Sequence, residues 1–335
     1  MTHPSASLMA REIEEMQAAA ARLTGPAAQA QIREVARDLR TFDPPVLLTV
    51  ARGSSDHAAT YLSYATHLTL GRPVASVGPS IVSIYKTQLR TNGLAALAIS
   101  QSGASADTAR LCTALSESGG HVIALTNAPE SALARASDAV IDIRAGAERA
   151  VAATKSFFNS VVAGLWLLAH WAEDKALLKA LETLPADMER QRQPLWTGEL
   201  TAALETAERA MVLARGPGLG LAHEIALKLI ETCRIHASSY SGAEVLHGPS
   251  ALLTDGYPVI ALTGGAAHGM DQALERITHQ GARLITIPEA PAGIHPLIAP
   301  LLDLQPIYLC VEALARHRGF DPDNPAHLQK ETKTV

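Results

Sequence analysis

Ser100, Ser102, Ser105 and Thr108 place four hydroxyls within nine residues, with the Gln101 amide and Gly103 among them. The chemistry open to such a cluster is the holding of an anion. Leu94 to Ile99 is a continuous apolar run that reads as a buried strand, and apolar residues recur at three- and four-residue spacing from Thr108 to Leu115, which predicts a helix. The serines then stand at a helix N-terminus. There, unpaired backbone N–H groups and the positive end of the helix dipole attract negative charge, and a hydroxyl donates without adding any. The loop itself holds no lysine or arginine. A serine turn of this type also serves as a plain helix cap, so the loop alone leaves both roles open.

A second cluster lies on the helix predicted from about Leu219 to His236. Leu221, Ala222, Ile225, Ala226, Leu227, Leu229 and Ile230 make it mostly apolar, while Glu224, Lys228 and Glu231 follow at spacings of four and three on one stripe. On a solvated face this stripe is an ordinary Glu-Lys pairing of small worth. In a cleft, a glutamate beside an ammonium could move a proton between adjacent carbons. His236, at the end of the same helix, reads as packing or surface. His247 stands at a helix end before the Gly248-Pro249 break, an exposed place from which an imidazole can act as acid or base near neutral pH, though an ordinary surface histidine fits there too.

The elements that must carry these residues come in two similar halves. Pro45 to Ala51 is an apolar strand running into Arg52-Gly53-Ser54-Ser55 and an alanine-rich helix, and Ala210 to Ala214 runs into Arg215-Gly216 in the same way. Further strands are expected at Val74–Val77, Leu94–Ile99 and Val122–Leu125 in the first half, and at Val259–Leu262 and Leu284–Ile287 in the second. Strands alternating with helices imply an α/β fold with parallel sheets covered on both faces. Gly216-Pro217-Gly218 suggests a dinucleotide turn, but the third glycine of that fingerprint falls on Leu221. Met9 to Thr24 reads as an amphipathic helix, Val161 to Ala169 as a buried core helix too short for a bilayer, and Asp174 to Glu208 as connecting helices. The tail after Gly319, with Pro322, Pro325 and a charged Lys330-Glu331-Thr332-Lys333 end, has the composition of a disordered segment. The expected division is an N-terminal helix over 1–30, domains over 31–173 and 201–318 joined by helices over 174–200, and a tail or lid over 319–335. A formal charge of −5 argues against nonspecific nucleic-acid binding, and Cys112, Cys233 and Cys310, far apart in sequence, read as reduced thiols of a cytoplasmic protein.

Taken in order, Gly53-Ser54-Ser55, Ser100-Gln101-Ser102-Gly103 with Asp107-Thr108, Glu148 with Ala153-Thr154-Lys155, Ala226-Leu227-Lys228-Leu229 with Glu231, Ile235-His236-Ala237, Glu244 with His247-Gly248-Pro249, and Leu328 with Lys330 resemble the tandem sugar isomerase (SIS) unit. That unit forms the isomerase half of glutamine-fructose-6-phosphate aminotransferase. The resemblance implies two SIS domains, each a parallel sheet flanked by helices in a flavodoxin-like three-layer arrangement. It implies that Ser100, Gln101, Ser102 and Ser105 bind a sugar phosphate, while Gly53, Ser54, Ser55, Glu148 and the backbone around Val151 and Ala153 line the sugar. Glu231 matches the base that moves a proton between C1 and C2, with Lys228 one turn before it. His247 matches a ring-opening histidine given by the neighbouring subunit, which implies a homodimer, and Lys330 matches a tail lysine able to form an imine with an open-chain ketose. No metal or cofactor is expected, because a glutamate base working through an enediol-like intermediate needs none.

Departures from the pattern bear on the reaction. Arg52 replaces a cysteine, Ser54 a threonine, and Ala104-Ser105 a Glu-Thr pair. The first strand begins near Pro45, so no glutaminase domain is expected within the chain. A phosphorylated amino sugar is then the expected partner, with glucosamine-6-phosphate converted to fructose-6-phosphate and ammonia. The alternatives are synthesis from ammonia or with a separate glutaminase, deamination of galactosamine-6-phosphate or a fructosamine phosphate, and a non-catalytic sugar-phosphate sensor.

Overall fold

The computed structural model describes residues 6–191, 194–264 and 269–330. Among the described residues nine strands make two sheets: β1 (Leu47–Val50), β2 (Val74–Ser76), β3 (Ala95–Ser100), β4 (His121–Thr126) and β5 (Ala139–Asp142), then β6 (Arg209–Ala214), β7 (His236–Ser241), β8 (Pro258–Leu262) and β9 (Arg283–Ile287). The orders are β2-β1-β3-β4-β5 and β7-β6-β8-β9, with every pair parallel. Both orders reverse beside their first strand, as flavodoxin-like sheets do, and helices flank both sheets. The α/β expectation is met. By contacts the chain divides into one compact unit of residues 16–148 and 155–185 with the five-stranded sheet, and another of 1–15, 149–154 and 186–330 with the four-stranded sheet.

In the five-stranded unit, alternation along the strands turns Leu48 and Val50, Ala96 and Ala98, and Val122 and Ala124 into one core with Leu111, Cys112 and Leu115 of the helix Ala106–Glu117. Alanines on β3 and β4 leave room for that helix, and its buried stripe fixes where its N-terminus, and hence Ser105, must lie. The helix Lys155–Trp171 is buried at every position except His170, in agreement with the core reading of Val161–Ala169. It packs on the helix Ser54–Leu70, and a Cβ at Gly164 would collide with the Leu62 side chain. Glycine is therefore what lets the helix that begins at Ser54 lie close to its neighbour.

Four expectations change. The helix Gly218–Cys233 stops before His236, because Arg234 takes a left-handed conformation (φ 53°) and sends its N–H back to the Leu229 carbonyl. His236 instead opens β7, a strand of mostly polar, partly exposed residues that carries no apolar signal. Met9–Thr24 is two helices, Leu8–Glu14 and Met16–Leu23, which fall in different compact units. The tail is ordered through Lys330, because the Asp323 carboxylate accepts the Leu8 and Met9 N–H groups at 2.8 Å each, at the open N-terminus of the first helix. Residues 331–335 of the proposed 319–335 segment, with the charged Glu331 and Lys333, lie outside the described residues.

Gly164→Val should lower the urea-denaturation midpoint by the equivalent of about 1–3 kcal/mol through overpacking against Leu62. Gly198→Ala, at an exposed helical glycine with open space around its Cβ position, should raise it slightly.

Candidate functional site

In an open parallel sheet, ligands bind beyond the carboxyl ends of the strands, where the strand order reverses. In the five-stranded unit that place lies between β1 and β3. Val50 pairs with Ala98, so two residues later Arg52 and Ser100 leave adjacent strands side by side. Ser100, Gln101, Ser102 and Ser105 form one loop here, and Gly53-Ser54-Ser55 forms the next, opening the helix Ser54–Leu70. The Ser100 hydroxyl accepts the Gly103 N–H at 3.1 Å and the Ser102 hydroxyl accepts that of Ala104 at 3.3 Å. The Gln101 carbonyl takes the Asn127 N–H at 3.1 Å, which ties the loop to the end of β4. Gly103 has φ +59°, and a Cβ there would run into Ser131, so only glycine fits.

Asp107, in the first turn of the following helix, is buried. Its carboxylate accepts the Ser105 hydroxyl and an Arg52 guanidinium N–H, and the Thr108 N–H at 2.8 Å. Burial works to raise its pKa, but the Ser105 and Arg52 hydrogen bonds and the Arg52 charge outweigh it and hold the carboxyl below its ordinary value. Sequence reasoning found no cation in the loop; the sheet order delivers one from 48 positions upstream. Ser105 is not a helix-capping side chain here, since its hydroxyl donates to Asp107 and accepts from Thr108 Oγ1 at 3.0 Å.

Glu148 has a different setting from the other expected sugar contacts. Its buried carboxylate accepts the Ser156 N–H at 3.0 Å and the Ser156 hydroxyl at 2.5 Å, and so holds the start of the helix Lys155–Trp171. In the unit that carries the four-stranded sheet, residues 149–154 form a short strip. The Glu12 carboxylate accepts the Arg149 and Ala150 N–H groups, the Asp323 carbonyl accepts the Val151 N–H at 3.0 Å, and the Lys330 ammonium donates to the Ala150 carbonyl at 2.8 Å. Val151 and Lys330 thus meet on one strip, together with Ala153. Neither Glu12 nor Asp323 carried a sequence signal, because each acts through distant backbone groups.

The same unit holds the carboxylate stripe. Lys228 is fully buried; it pairs with Glu231 and lies 3.4 Å from Glu224, whose carboxylate also accepts the Tyr308 hydroxyl at 3.2 Å. The solvated-face reading is therefore wrong for Glu224 and Lys228, while the Glu231 side chain keeps 20% exposure. Burial works to lower the Lys228 pKa, but the two carboxylates outweigh it and hold the ammonium above its ordinary value. One cation between two carboxylates leaves a net negative charge, with Glu231 as the member open to solvent. His247 ends the short 3-10 turn Glu244–His247 and is exposed, as the Gly-Pro break predicts.

A model of the SIS domain matches residues 43–170 and 203–294. The chain belongs to the SIS-domain family. It is 34% identical, over 98% of its length, to glutamine-fructose-6-phosphate aminotransferase of Pyrobaculum aerophilum, and 33% identical over 86% to that of Sulfurisphaera tokodaii. It covers 57% and 50% of those two proteins, and so spans about half the length of the curated relatives it matches. Among solved structures, a candidate phosphosugar isomerase from Silicibacter pomeroyi superposes with TM-score 0.88 at 42% identity, covering 95% of this chain and all of that one. The C-terminal domain of glucosamine-fructose-6-phosphate aminotransferase from Francisella tularensis gives 0.84 at 25% identity, covering 96% and 99%. No helix among the described residues of this SIS-domain chain is long and apolar enough to cross a membrane.

Removing the buried cation of the SIS-domain stripe should be costly. Lys228→Met leaves the Glu224 carboxylate uncompensated and should lower stability by about 3–5 kcal/mol in urea titrations, whereas adding Glu224→Gln to it should recover a large part.

Proposed function

We propose that this protein is a phosphosugar isomerase that deaminates glucosamine-6-phosphate to fructose-6-phosphate and ammonia. The observation that carries the reading is Glu231: a partly exposed carboxylate whose position is set by a fully buried ammonium, itself fixed by a second buried carboxylate. Such a carboxylate is placed to accept and return a proton without the cost of organising itself during the reaction. In this reading the Ser100–Ser105 loop holds the phosphate, with Gly53, Ser54 and Ser55 beside it, and the strip around Val151 and Ala153 lines the sugar. Binding energy from the non-reacting phosphate then holds the reacting carbons in place.

The steps balance with water as the only co-substrate. His247 assists opening of the ring, Glu231 takes the proton from C2 and returns it to C1 while a proton passes from the C2 amine to O1, and the resulting C2 imine adds water and releases ammonia, leaving the ketone. Lys330 serves the open-chain form. The protein works as a homodimer in which His247 serves the neighbouring subunit's sugar. The similarity to the aminotransferases favours a second reading, the same proton transfer run from fructose-6-phosphate and ammonia toward the amino sugar.

Purified protein given glucosamine-6-phosphate should release ammonia and fructose-6-phosphate in equal amounts, with galactosamine-6-phosphate run alongside to test the C4 configuration. Synthesis of glucosamine-6-phosphate from ammonia without measurable release would replace deamination by the second reading, and neither reaction on any of these sugars would overturn both. Glu231→Gln should lose roughly 10²- to 10⁴-fold in turnover while still binding the sugar phosphate, as read by calorimetry. Unchanged turnover in that variant removes Glu231 from the mechanism.

A further inference from the structure

Arg52 leaves β1 beside the end of β3 from which the serine loop starts, and its surroundings are asymmetric. One Nη donates to the buried Asp107, yet the Arg52 side chain is 45% exposed against 1% for Asp107, so its remaining N–H groups open to solvent beside the loop. Asp107 itself is a handicap to anion binding: a carboxylate in the first turn offsets the pull of the helix N-terminus on any other negative charge. It also engages the Ser105 hydroxyl proton, which is then not offered to a ligand. With Asp107 alone, the loop would present a phosphate with a helix end whose charge is already cancelled.

We propose that Arg52 is a direct contact to the substrate's phosphoryl group and makes the loop selective for the doubly charged phosphomonoester. The proposal rests on the loop being the phosphate site. Asp107 holds one Nη of the guanidinium, which restrains the flexible side chain and reduces the entropy cost of ordering it at binding. Its other donors then match the paired oxygens of a phosphoryl group. The neighbours explain why an arginine is tolerated at a strand end: the carboxylate cancels its charge in the free protein, and the ligand gains the surplus donors. Arg215, at the same place after β6, donates to the Gly269 carbonyl at 2.7 Å and to no carboxylate among the described residues.

Calorimetric titration of the full chain with inorganic phosphate and with glucosamine-6-phosphate, at several salt concentrations, tests this. Arg52→Gln should weaken both by about 10- to 100-fold and flatten the salt dependence, and Arg52→Lys should recover part of the loss because it restores charge without the fork. Wild type should bind glucosamine-6-phosphate more tightly as pH rises through the second phosphate ionisation near pH ~6, and Arg52→Gln should lose most of that rise. Asp107→Asn, which keeps Arg52 but removes both the opposing charge and the group that orients it, should weaken phosphate binding much less than Arg52→Gln does. Equal weakening by Asp107→Asn and Arg52→Gln would mean that Arg52 only braces the loop, and overturns the proposal. Ser102→Ala separates the two levels of inference. If it weakens phosphate binding while Arg52→Gln does not, Arg52 is excluded and the loop stands; if neither does, the phosphate loop itself is wrong.

Discussion

The reversal of strand order beside β1 is the constraint on which the rest depends. A parallel strand must be followed by a crossover, and when the first crossover goes to one side and the next to the other, the two loops they begin with are left without a helix between them. In this chain those loops begin with Arg52-Gly53-Ser54 and with Ser100-Gln101-Ser102. The two loops differ in what they bring: the first carries a cation beside Ser54 and Ser55, and the second carries hydroxyls and a carboxylate but no cation. The second sheet repeats the reversal with the same Ala-Arg-Gly tripeptide, yet among the described residues Arg215 donates to the Gly269 carbonyl where Arg52 meets the Asp107 carboxylate, so identical strand ends take different partners.

Buried charge does the equivalent work on the helix Gly218–Cys233. Desolvating an ammonium and a carboxylate is expensive, and a single pair seldom does better than apolar packing. What the arrangement gains is position. Lys228 has Glu224 one turn before it and Glu231 one turn after, and Tyr308 closes the far side by donating to Glu224. An ammonium so held cannot swing into solvent, and the partly exposed Glu231 is therefore anchored from behind by a group that the solvent does not reach.

Wherever a residue's role follows from its near neighbours in the chain, it was legible. The apolar runs gave β1, β3, β4, β6, β8 and β9, the serine cluster gave a loop before a helix, and Gly248-Pro249 gave the exposed end that carries His247. β5 escaped because Asp142 breaks its short apolar run and most of it is only partly buried, and β7 because its residues are polar and only partly buried. The tail's composition signals disorder, yet Asp323 orders it through two N–H groups 314 and 315 positions away, which no local pattern can encode. Arg52 escaped for the same reason, since its partner is chosen by sheet order. Glu148 shows the opposite case, a motif position whose carboxylate is visibly occupied with holding a helix start.

The strip 149–154 gives Lys330 a defined resting place, where its Nζ donates to the Ala150 carbonyl at 2.8 Å. The proposed imine would require the nitrogen to leave Ala150. That exchange does not require the tail to detach. The Asp323 carbonyl holds the Val151 N–H, and the Asp323 carboxylate holds the first helix, by bonds in which Lys330 takes no part. The strip and the tail are thus held together by bonds independent of the Lys330 side chain.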